Sequence, residues 1–193
     1  MGRSREFEES QVLQDAMRVF WQQGYRGTSL KELEQATGLK PGSLYHAYGN
    51  KHGLFLRVLD HYIETIITPR VQIHLRDTES LHGVRRFMET AFDYVSPRSP
   101  SVACLLVNTA VEMGREDPEI LRRLMRGFKL IESGLRGRLE AAQQAGELDP
   151  CKDVPALARQ LAVSFQGILV TSRLTTQRAR LFEMTDTALA VLN

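Results

Sequence analysis

Apolar residues recur every three or four positions along almost the whole chain, which is the spacing of one face of an α-helix. The first such face is formed by Val12, Leu13, Ala16, Met17 and Phe20. Gly24 follows at a place where a glycine can end a helix. The alternating β-branched runs and Asn-Gly turns that mark strands and hairpins are nearly absent. The pattern therefore predicts an all-α fold.

Two short helices are predicted after this first one. The segment TSLKELEQATG opens with a capping box from Ser29 to Glu32 and stops at Gly38. Three of its residues are expected to be buried: Leu30, Leu33 and Ala36. The next helix, PGSLYHAY, begins at Pro41, because proline suits the first helical position. This spacing fits a helix-turn-helix, and it equally fits a plain helical hairpin.

The second short helix carries more polar groups than packing needs. Only Leu44 and Tyr48 are able to face inward, which leaves three hydrogen-bonding side chains outside: Ser43, Tyr45 and His46. Gly42 exposes backbone where close approach to another surface would need it. Lys40 is a poor N-cap, because it cannot accept a bond from the free N–H groups and its charge opposes the helix dipole. A phosphate or a guanine edge in front of this helix would offset that cost.

The rest of the chain continues as helices. Asn50 caps a connecting helix that is expected to run to Pro69. A helical segment near 79–95, a Pro/Ser loop SPRSPS and an apolar helix near 101–114 follow. Asp117 starts a long helix that reaches about Ala145, and two last helices lie near 153–174 and 177–192. The predicted organisation is a three-helix head, residues 1–55, joined by the connecting helix to a larger helical body, residues 56–193.

The head closely resembles the DNA-binding domain of the TetR/AcrR family of transcriptional regulators. The resemblance runs over residues 8–55 with its spacing intact, through TSLKELEQATGL and KPGSLYHAYGNKHGL. Tyr48 replaces the usual phenylalanine, and Lys40 stands where a small cap is commoner. This resemblance implies a helix-turn-helix head, a body for ligand binding and dimerisation, and a ligand-responsive repressor that binds a palindromic double-stranded DNA operator as a homodimer.

The resemblance also implies a role for each DNA-facing residue. Thr28, with Ser29 and the free N–H groups of its helix, would hold one phosphate, and Lys51 would hold a second. The recognition surface would be presented by Lys40, Gly42, Ser43, Tyr45 and His46. These residue types suit both phosphate and base contacts and do not separate the two.

The penultimate helix has two apolar faces, and each needs a partner. The broad face contains Leu157, Ala158, Leu161, Phe165, Ile168 and Leu169. A narrower face of small residues lies nearly opposite: Ala156, Val163, Gly167 and Val170. The body can cover both faces, or a second subunit can cover one. In the family that the head resembles, the C-terminal helices form a four-helix dimer interface, so we expect a homodimer through residues near 153–174 and 177–192.

The body is rich in aromatic side chains, which either fill its core or line a cavity. The resemblance implies a pocket for an unknown small-molecule effector among the middle helices. We expect its lining among seven residues: Tyr62, Phe87, Phe92, Cys104, Met113, Phe128 and Phe165. No cluster of charged residues indicates the chemistry of that effector.

Cys104, in SVACLLVNTAVEMG, is either a small buried hydrophobic residue or a redox sensor. The stretch is similar to the Gly-Cys-Leu segment of the electrophile-responsive branch of the same family, typified by the N-ethylmaleimide-responsive repressor, with Ala103 in place of the glycine. Cys104 is expected in the first turn of its helix, where free N–H groups stabilise the reactive thiolate. Asp149 and Asp153 disfavour a thiolate at Cys151, so Cys104 is the candidate sensor.

Composition narrows the functional classes. The 193 residues are 42% apolar and 25% charged, as in soluble globular proteins. Two cysteines cannot staple a fold of this size, which favours a reducing, cytoplasmic location. No run approaches the ~18 apolar residues of a membrane span, so no membrane is expected. A constitutive architectural DNA-binding protein is the alternative function, although such proteins are usually more basic than a net charge of +2.

No motif indicates catalysis. The chain has no GxGxxG, GxSxG or HExxH motif and no Gly-rich phosphate loop. Its five histidines, at positions 46, 52, 61, 74 and 82, are scattered without the spacing of metal ligands. We therefore expect neither enzymatic activity nor a metal or cofactor.

Overall fold

The computed structural model describes residues 2–78, 81–93, 95–96 and 102–193, and it confirms an all-α fold. Helix α1 (Gly2–Gly27) is broken at Gly24, where φ is 77° and ψ is 173°. Helix α2 (Leu30–Thr37) begins after Ser29, the N-cap of the predicted capping box, and ends at Gly38 in the left-handed conformation. The break in α1 and the end of α2 therefore lie at the glycines that predict them.

Helices α3 (Pro41–Tyr48) and α4 (Lys51–Tyr62) follow. Asn50 is the N-cap of α4, and its side chain accepts a bond from the Gly53 N–H. Helix α1 packs against α2 and α4, and α3 packs against α4. This arrangement holds α3 at the outer edge of the head.

The connecting helix passes Pro69 instead of ending there. Two π-helical turns, Ile63–Ile67 and Gln72–Arg76, flank the short helix α5 (Thr68–Val71) that contains Pro69. Proline removes one N–H donor and interrupts the regular α-helical bonding. Because the π turns change that bonding pattern on both sides, the chain stays helical. The predicted end at Pro69 is therefore wrong.

The middle of the body has shorter helices than predicted. Helix α6 (His82–Glu89) continues into a 3-10 turn, Thr90–Phe92. Helix α7 (Leu105–Met113) begins after Cys104, which is its N-cap residue and not part of its first turn. Residues 79–80, 94 and 97–101, which include most of the predicted Pro/Ser loop, lie outside the described residues.

The last three helices match their predictions. Helix α8 (Pro118–Gln144) starts at Asp117, whose side chain accepts bonds from two backbone N–H groups of the first turn. Helix α9 (Val154–Thr171) packs against α8, and α10 (Arg178–Leu189) packs against α9 and α6. The body is therefore a layered helical bundle with α9 near its surface.

Helix α9 is long and apolar enough to cross a membrane, judged by length and composition alone. This corrects the expectation that no run approaches such a span. Its apolar content comes from two faces, since Leu161 and Phe165 are buried in the body whereas Val163 and Val170 are exposed. A helix that packs in a protein core meets the same criteria, so the finding is weak evidence for a membrane.

A continuous apolar core runs from the head into the body. Phe20 and Leu33 belong to its head portion, and Leu44 anchors α3 to it. Ala36 is exposed and Leu30 is only partly buried, so the burial predicted for α2 holds for Leu33 alone. Helices this short bury one narrow stripe, which leaves their remaining faces to solvent.

Candidate nucleic-acid interface and body cavity

Helix α3 presents the polar face that its sequence predicts. Leu44 is buried and Tyr48 is partly buried. The five residues of the predicted recognition surface are all exposed: Lys40, Gly42, Ser43, Tyr45 and His46. A helix held by one leucine has most of its surface free to meet another molecule.

The N-terminus of α3 has no side-chain cap. Lys40 is the N-cap residue, and it makes no capping bond to the free N–H groups. The lysine ammonium and the positive end of the helix dipole therefore occupy the same exposed corner. Together they suit an anionic or acceptor group supplied from outside.

Two glycines of the α3–α4 segment have opposite surroundings. A Cβ added at Gly42 would meet no atom within 4 Å. A Cβ added at Gly53 would lie 2.0 Å from the backbone oxygen of Tyr48. Gly42 leaves open space on the exposed face, whereas Gly53 allows the end of α3 to contact α4. Sequence reasoning gave Gly53 no role, although it lies in the segment on which the resemblance rests.

Thr28 differs from its expected role. Its side chain is buried, and its hydroxyl donates to the Gly24 carbonyl oxygen at 2.7 Å. Ser29 is exposed and caps α2, with its Oγ accepting from the Glu32 N–H at 3.3 Å. Of this pair, Ser29 is the exposed residue, and its hydroxyl donates to the Glu32 carboxylate at 2.7 Å, a bond that an incoming phosphate would have to replace.

Lys51 lies against an aromatic ring at the edge of the head. Its Nζ is 4.6 Å from the centre of the Tyr25 ring, within the range of a cation–π contact. Partial burial lowers the pKa of Lys51, while the carboxylates of Glu112 and Glu32 act to raise it. The ring restricts where the ammonium can lie, which distinguishes Lys51 from a freely moving surface lysine.

A cavity of about 80 Å³ lies in the body. Four of the seven residues expected to line a pocket do line it: Tyr62, Phe87, Cys104 and Phe165. The other three lie outside its lining: Phe92 and Met113 belong to the core, and Phe128 is partly buried against it. One ordered water needs ~10–15 Å³, so the cavity at this size admits only a small molecule.

Trp21 and Arg70 are two of the nine lining residues that sequence reasoning missed. Trp21 donates from Nε1 to the Ala103 carbonyl oxygen at 3.0 Å, although the two residues are 82 positions apart. Arg70 donates to the Phe87 carbonyl oxygen, and its guanidinium lies 5.2 Å from the centre of the Phe87 ring. Arg70 brings a positive charge to a lining whose other members are uncharged types. Its isolation in an apolar stretch was the available signal, whereas Trp21 offered none.

Cys104 is buried in the cavity wall, and this burial raises the pKa of its thiol. The Tyr62 hydroxyl donates to Sγ at 3.3 Å, and the N–H groups of Leu106 and Val107 also favour the thiolate. The N–H groups therefore act in the expected direction, but burial outweighs them and the pKa of the thiol is raised. Cys151, by contrast, is exposed. A sensor role for Cys104 stays a prediction.

The segment that leads into α7 is strained at Ala103. Its φ of 57° lies in the left-handed region, at the position where the similar segment has glycine. A residue with a Cβ reaches this region at a cost of about 1–2 kcal/mol. The bond from Trp21 to the Ala103 carbonyl oxygen helps to hold this conformation.

The narrow face of α9 is uncovered in the single chain. Val163 is 67% exposed and Val170 is 45% exposed. Gly167 is also exposed, whereas Ala156 is partly buried. Gly167 further lines a groove between α9 and α10 that includes Met184. Val163, Gly167 and Val170 therefore form an uncovered strip along α9.

Two of the five histidines contact other polar side chains. His52 contacts Asp117 at 2.7 Å and His61 contacts Gln14 at 3.3 Å. Within the described ranges, no group of three or more His, Cys, Asp or Glu side chains is arranged to hold a metal ion.

The short exposed helix α3, carried between α2 and α4, gives the head the geometry of a helix-turn-helix and defines the class of protein. Residues 12–58 match the family model described as bacterial regulatory proteins of the tetR family. Residues 80–188 match the tetracyclin repressor-like C-terminal domain. The chain therefore belongs to the TetR family, a family of transcriptional regulators and not of enzymes.

Relatives of the chain are similar over nearly its full length. The uncharacterized HTH-type transcriptional regulator YezE of Bacillus subtilis (strain 168) is 33% identical over 195 residues, which cover 100% of both chains. The HTH-type transcriptional repressor ComR of Escherichia coli (strain K12) is 29% identical, covering 97% of this chain and 90% of its own. A cysteine mutant of the TetR family regulator CifR, solved with 26-base-pair double-strand operator DNA, has a TM-score of 0.83 at 30% identity. That match covers 95% of this chain and 96% of the CifR chain.

Proposed function

We propose that this protein is a ligand-responsive repressor that binds a palindromic operator as a homodimer and is released by a small molecule. The names of its relatives support the proposal, since ComR is a repressor and CifR was solved on operator DNA. The observation that carries it is the exposed polar face of α3, with Leu44 as its buried anchor. In a helix-turn-helix this helix enters the major groove.

Each head residue has a role in this proposal. The five exposed residues at the start and along the outer face of α3 meet the major groove: Lys40, Gly42, Ser43, Tyr45 and His46. Ser29 and Lys51 hold phosphates on either side. Thr28 does not contact the phosphate itself, because its hydroxyl already donates to the Gly24 carbonyl oxygen. That bond supports the backbone next to Ser29.

Two copies of the head are needed, because one short helix contacts too few base pairs to specify a site. The uncovered face of α9, together with α10, forms the proposed dimer interface. The half-sites would then lie ~34–36 Å apart, one helical turn of DNA, or a multiple of that distance.

The effector in this proposal is small and largely apolar. The cavity of about 80 Å³ is lined by aromatic and aliphatic side chains, with Arg70 as a cation for a polar group of the ligand. An electrophile that forms a covalent bond with the Cys104 thiol is the second kind of effector in this proposal. Operator binding also implies a cytoplasmic location, where the DNA is found.

The test of the proposal is DNA binding with defined duplexes. We expect steep preference for a palindrome located by footprinting in front of a neighbouring gene, and a dimer in sedimentation at micromolar concentration. Equal affinity for every duplex would support a constitutive architectural protein instead. A monomer in low salt would contradict the dimer.

Variants of the head separate phosphate contacts from base contacts. Lys51→Ala is expected to weaken binding to all duplexes equally and to reduce the salt slope by ~1. Tyr45→Ala and His46→Ala are expected to reduce the preference for the operator over random DNA. If Lys51→Ala changed the sequence preference and kept the salt slope, these roles would be reversed.

A further inference from the structure

The body binds the head at the break in α1. The backbone N–H groups of Tyr25 and Arg26, just after Gly24, donate to the two carboxylate oxygens of Glu112 at 2.8 and 2.6 Å. Glu112 lies on α7, whose N-cap residue, Cys104, is in the cavity wall. A Cβ at Gly24 would lie 2.7 Å from one of these oxygens, so only a glycine admits the carboxylate this closely.

The Glu112 contact differs from the neighbouring ion pair between head and body. Arg26 and Glu116 form an ion pair in which both side chains are about 60% exposed (61% and 60%). Exposed pairs of this kind contribute little to stability. Glu112 instead accepts two charge-assisted bonds from backbone groups that cannot turn away, which is a stronger and more directional arrangement.

The contact continues through Tyr25 to a residue of the DNA-binding surface. The Tyr25 ring packs on Phe55, with ring centres 4.9 Å apart, and carries the Lys51 ammonium 4.6 Å from its own centre. Glu112 fixes the backbone of Tyr25, and Tyr25 restricts the position of Lys51. The chain of contacts therefore runs from α7 of the body to the predicted phosphate contact of the head.

We propose that Glu112 is a positioning residue for operator binding, which holds Lys51 at its phosphate through Tyr25. The inference rests on the proposed function, because it takes Lys51 as a phosphate contact. The effect of Glu112 on operator affinity is then opposite to the effect expected from its negative charge. A carboxylate near bound DNA repels phosphates, so by charge alone its removal would strengthen binding. A positioning role requires that its removal weaken binding.

The test compares Glu112→Gln, Lys51→Ala and the double variant on operator DNA across a range of salt concentrations. A glutamine keeps one acceptor oxygen and loses the second, so it breaks the two-bond contact. We expect Glu112→Gln to weaken operator binding about tenfold and to reduce the salt slope by ~1, as Lys51→Ala does. The double variant is expected to bind no more weakly than Lys51→Ala alone, because both changes remove one interaction.

Two controls keep the test decisive. Glu116→Gln removes a nearby carboxylate without touching Tyr25, and it is expected to change operator binding less than twofold. Glu112→Asp keeps the charge but withdraws the carboxylate by about 1.5 Å, one C–C bond. It is expected to weaken binding as Glu112→Gln does, with an unchanged helical circular dichroism spectrum as evidence of folding.

The outcomes separate this inference from the proposed function. Unchanged or tighter binding by Glu112→Gln, with weaker binding by Lys51→Ala, would overturn the positioning role alone. Losses that add in the double variant would also overturn it, since Glu112 would then act independently of Lys51. Normal binding by Lys51→Ala would overturn both the phosphate assignment and this inference.

Discussion

The head and the body are both helical, but the residues that form their functional surfaces differ in how far apart they lie in the sequence. The residues of the head that we propose to face DNA lie between Ser29 and Lys51, on successive short helices and their caps. The cavity of the body takes its lining from positions as far apart as Trp21 and Leu169. Local spacing therefore indicates the function of the head, whereas the cavity depends on contacts that only folding produces.

The largest effect is expected on the surface between two bodies. Gly167 is exposed on the narrow face of α9, and nothing lies within 4 Å of a Cβ placed there in the single chain. Gly167→Leu is therefore compatible with the folded subunit, but it would separate two backbones in a dimer. We expect the dimer dissociation constant to rise at least ~100-fold with unchanged helix content, measured by sedimentation and circular dichroism.

A matched glycine provides the control for this prediction. Gly137 on α8 is also exposed with no atom within 4 Å of its added Cβ. Gly137→Leu is expected to leave dimerisation unchanged. Equal dimer affinity in Gly167→Leu and the parent would show that this face of α9 is not the interface.

Two glycines of the head separate a role in packing from a role on the exposed face of α3. Gly53→Ala would place a methyl group 2.0 Å from the Tyr48 backbone oxygen, and we expect the free energy of unfolding to fall by about 2–3 kcal/mol. Gly42→Ala meets open space, so stability should stay equal or rise by up to ~1 kcal/mol. Urea unfolding at fixed protein concentration measures both.

Operator binding completes the glycine comparison. Gly42→Ala is expected to weaken operator binding despite its stability, because its methyl group would stand between α3 and the groove. Normal operator affinity in Gly42→Ala would show that DNA does not approach this backbone.

The two cysteines test whether the body cavity carries the signal. Cys151 is exposed and should react first with N-ethylmaleimide, without release of the operator. Burial raises the pKa of Cys104, so its reaction should be slow at neutral pH and should keep accelerating as the pH rises above the ordinary thiol pKa of ~8.5. We expect release to follow modification of Cys104, measured by mass spectrometry together with fluorescence anisotropy of labelled DNA.

Serine variants separate the two thiols. Cys151→Ser should release the operator as the parent does, and Cys104→Ser should stay bound. Release from Cys104→Ser, or from protein labelled at Cys151 alone, would leave Cys104 as a packing residue.

Features set by neighbouring residues were predictable, and those set by distant contacts were not. The caps at Asn50 and Asp117 follow from side-chain chemistry within one helical turn. The π turns around Pro69 do not, because proline alone predicts an interruption and the surrounding packing decides how the chain continues. Thr28 shows a limit at short range, since its hydroxyl had a competing local acceptor in the Gly24 carbonyl.

The smallest expected effect concerns Lys40, where stability and DNA binding should move in opposite directions. Serine accepts a bond from the free N–H groups of α3, so Lys40→Ser should raise the free energy of unfolding by about 1 kcal/mol. Loss of the ammonium should weaken operator binding about tenfold, as for other phosphate or guanine contacts. The converse change at the next helix, Asn50→Lys, removes a working cap and should lower stability by about 1 kcal/mol. Lys40→Ser protein that is more stable but binds the operator normally would show that the lysine contacts no DNA. If Lys40→Ser did not raise the free energy of unfolding, the uncapped N-terminus of α3 would not destabilise the protein. Lys40 would then not be a destabilising residue that DNA binding has to explain.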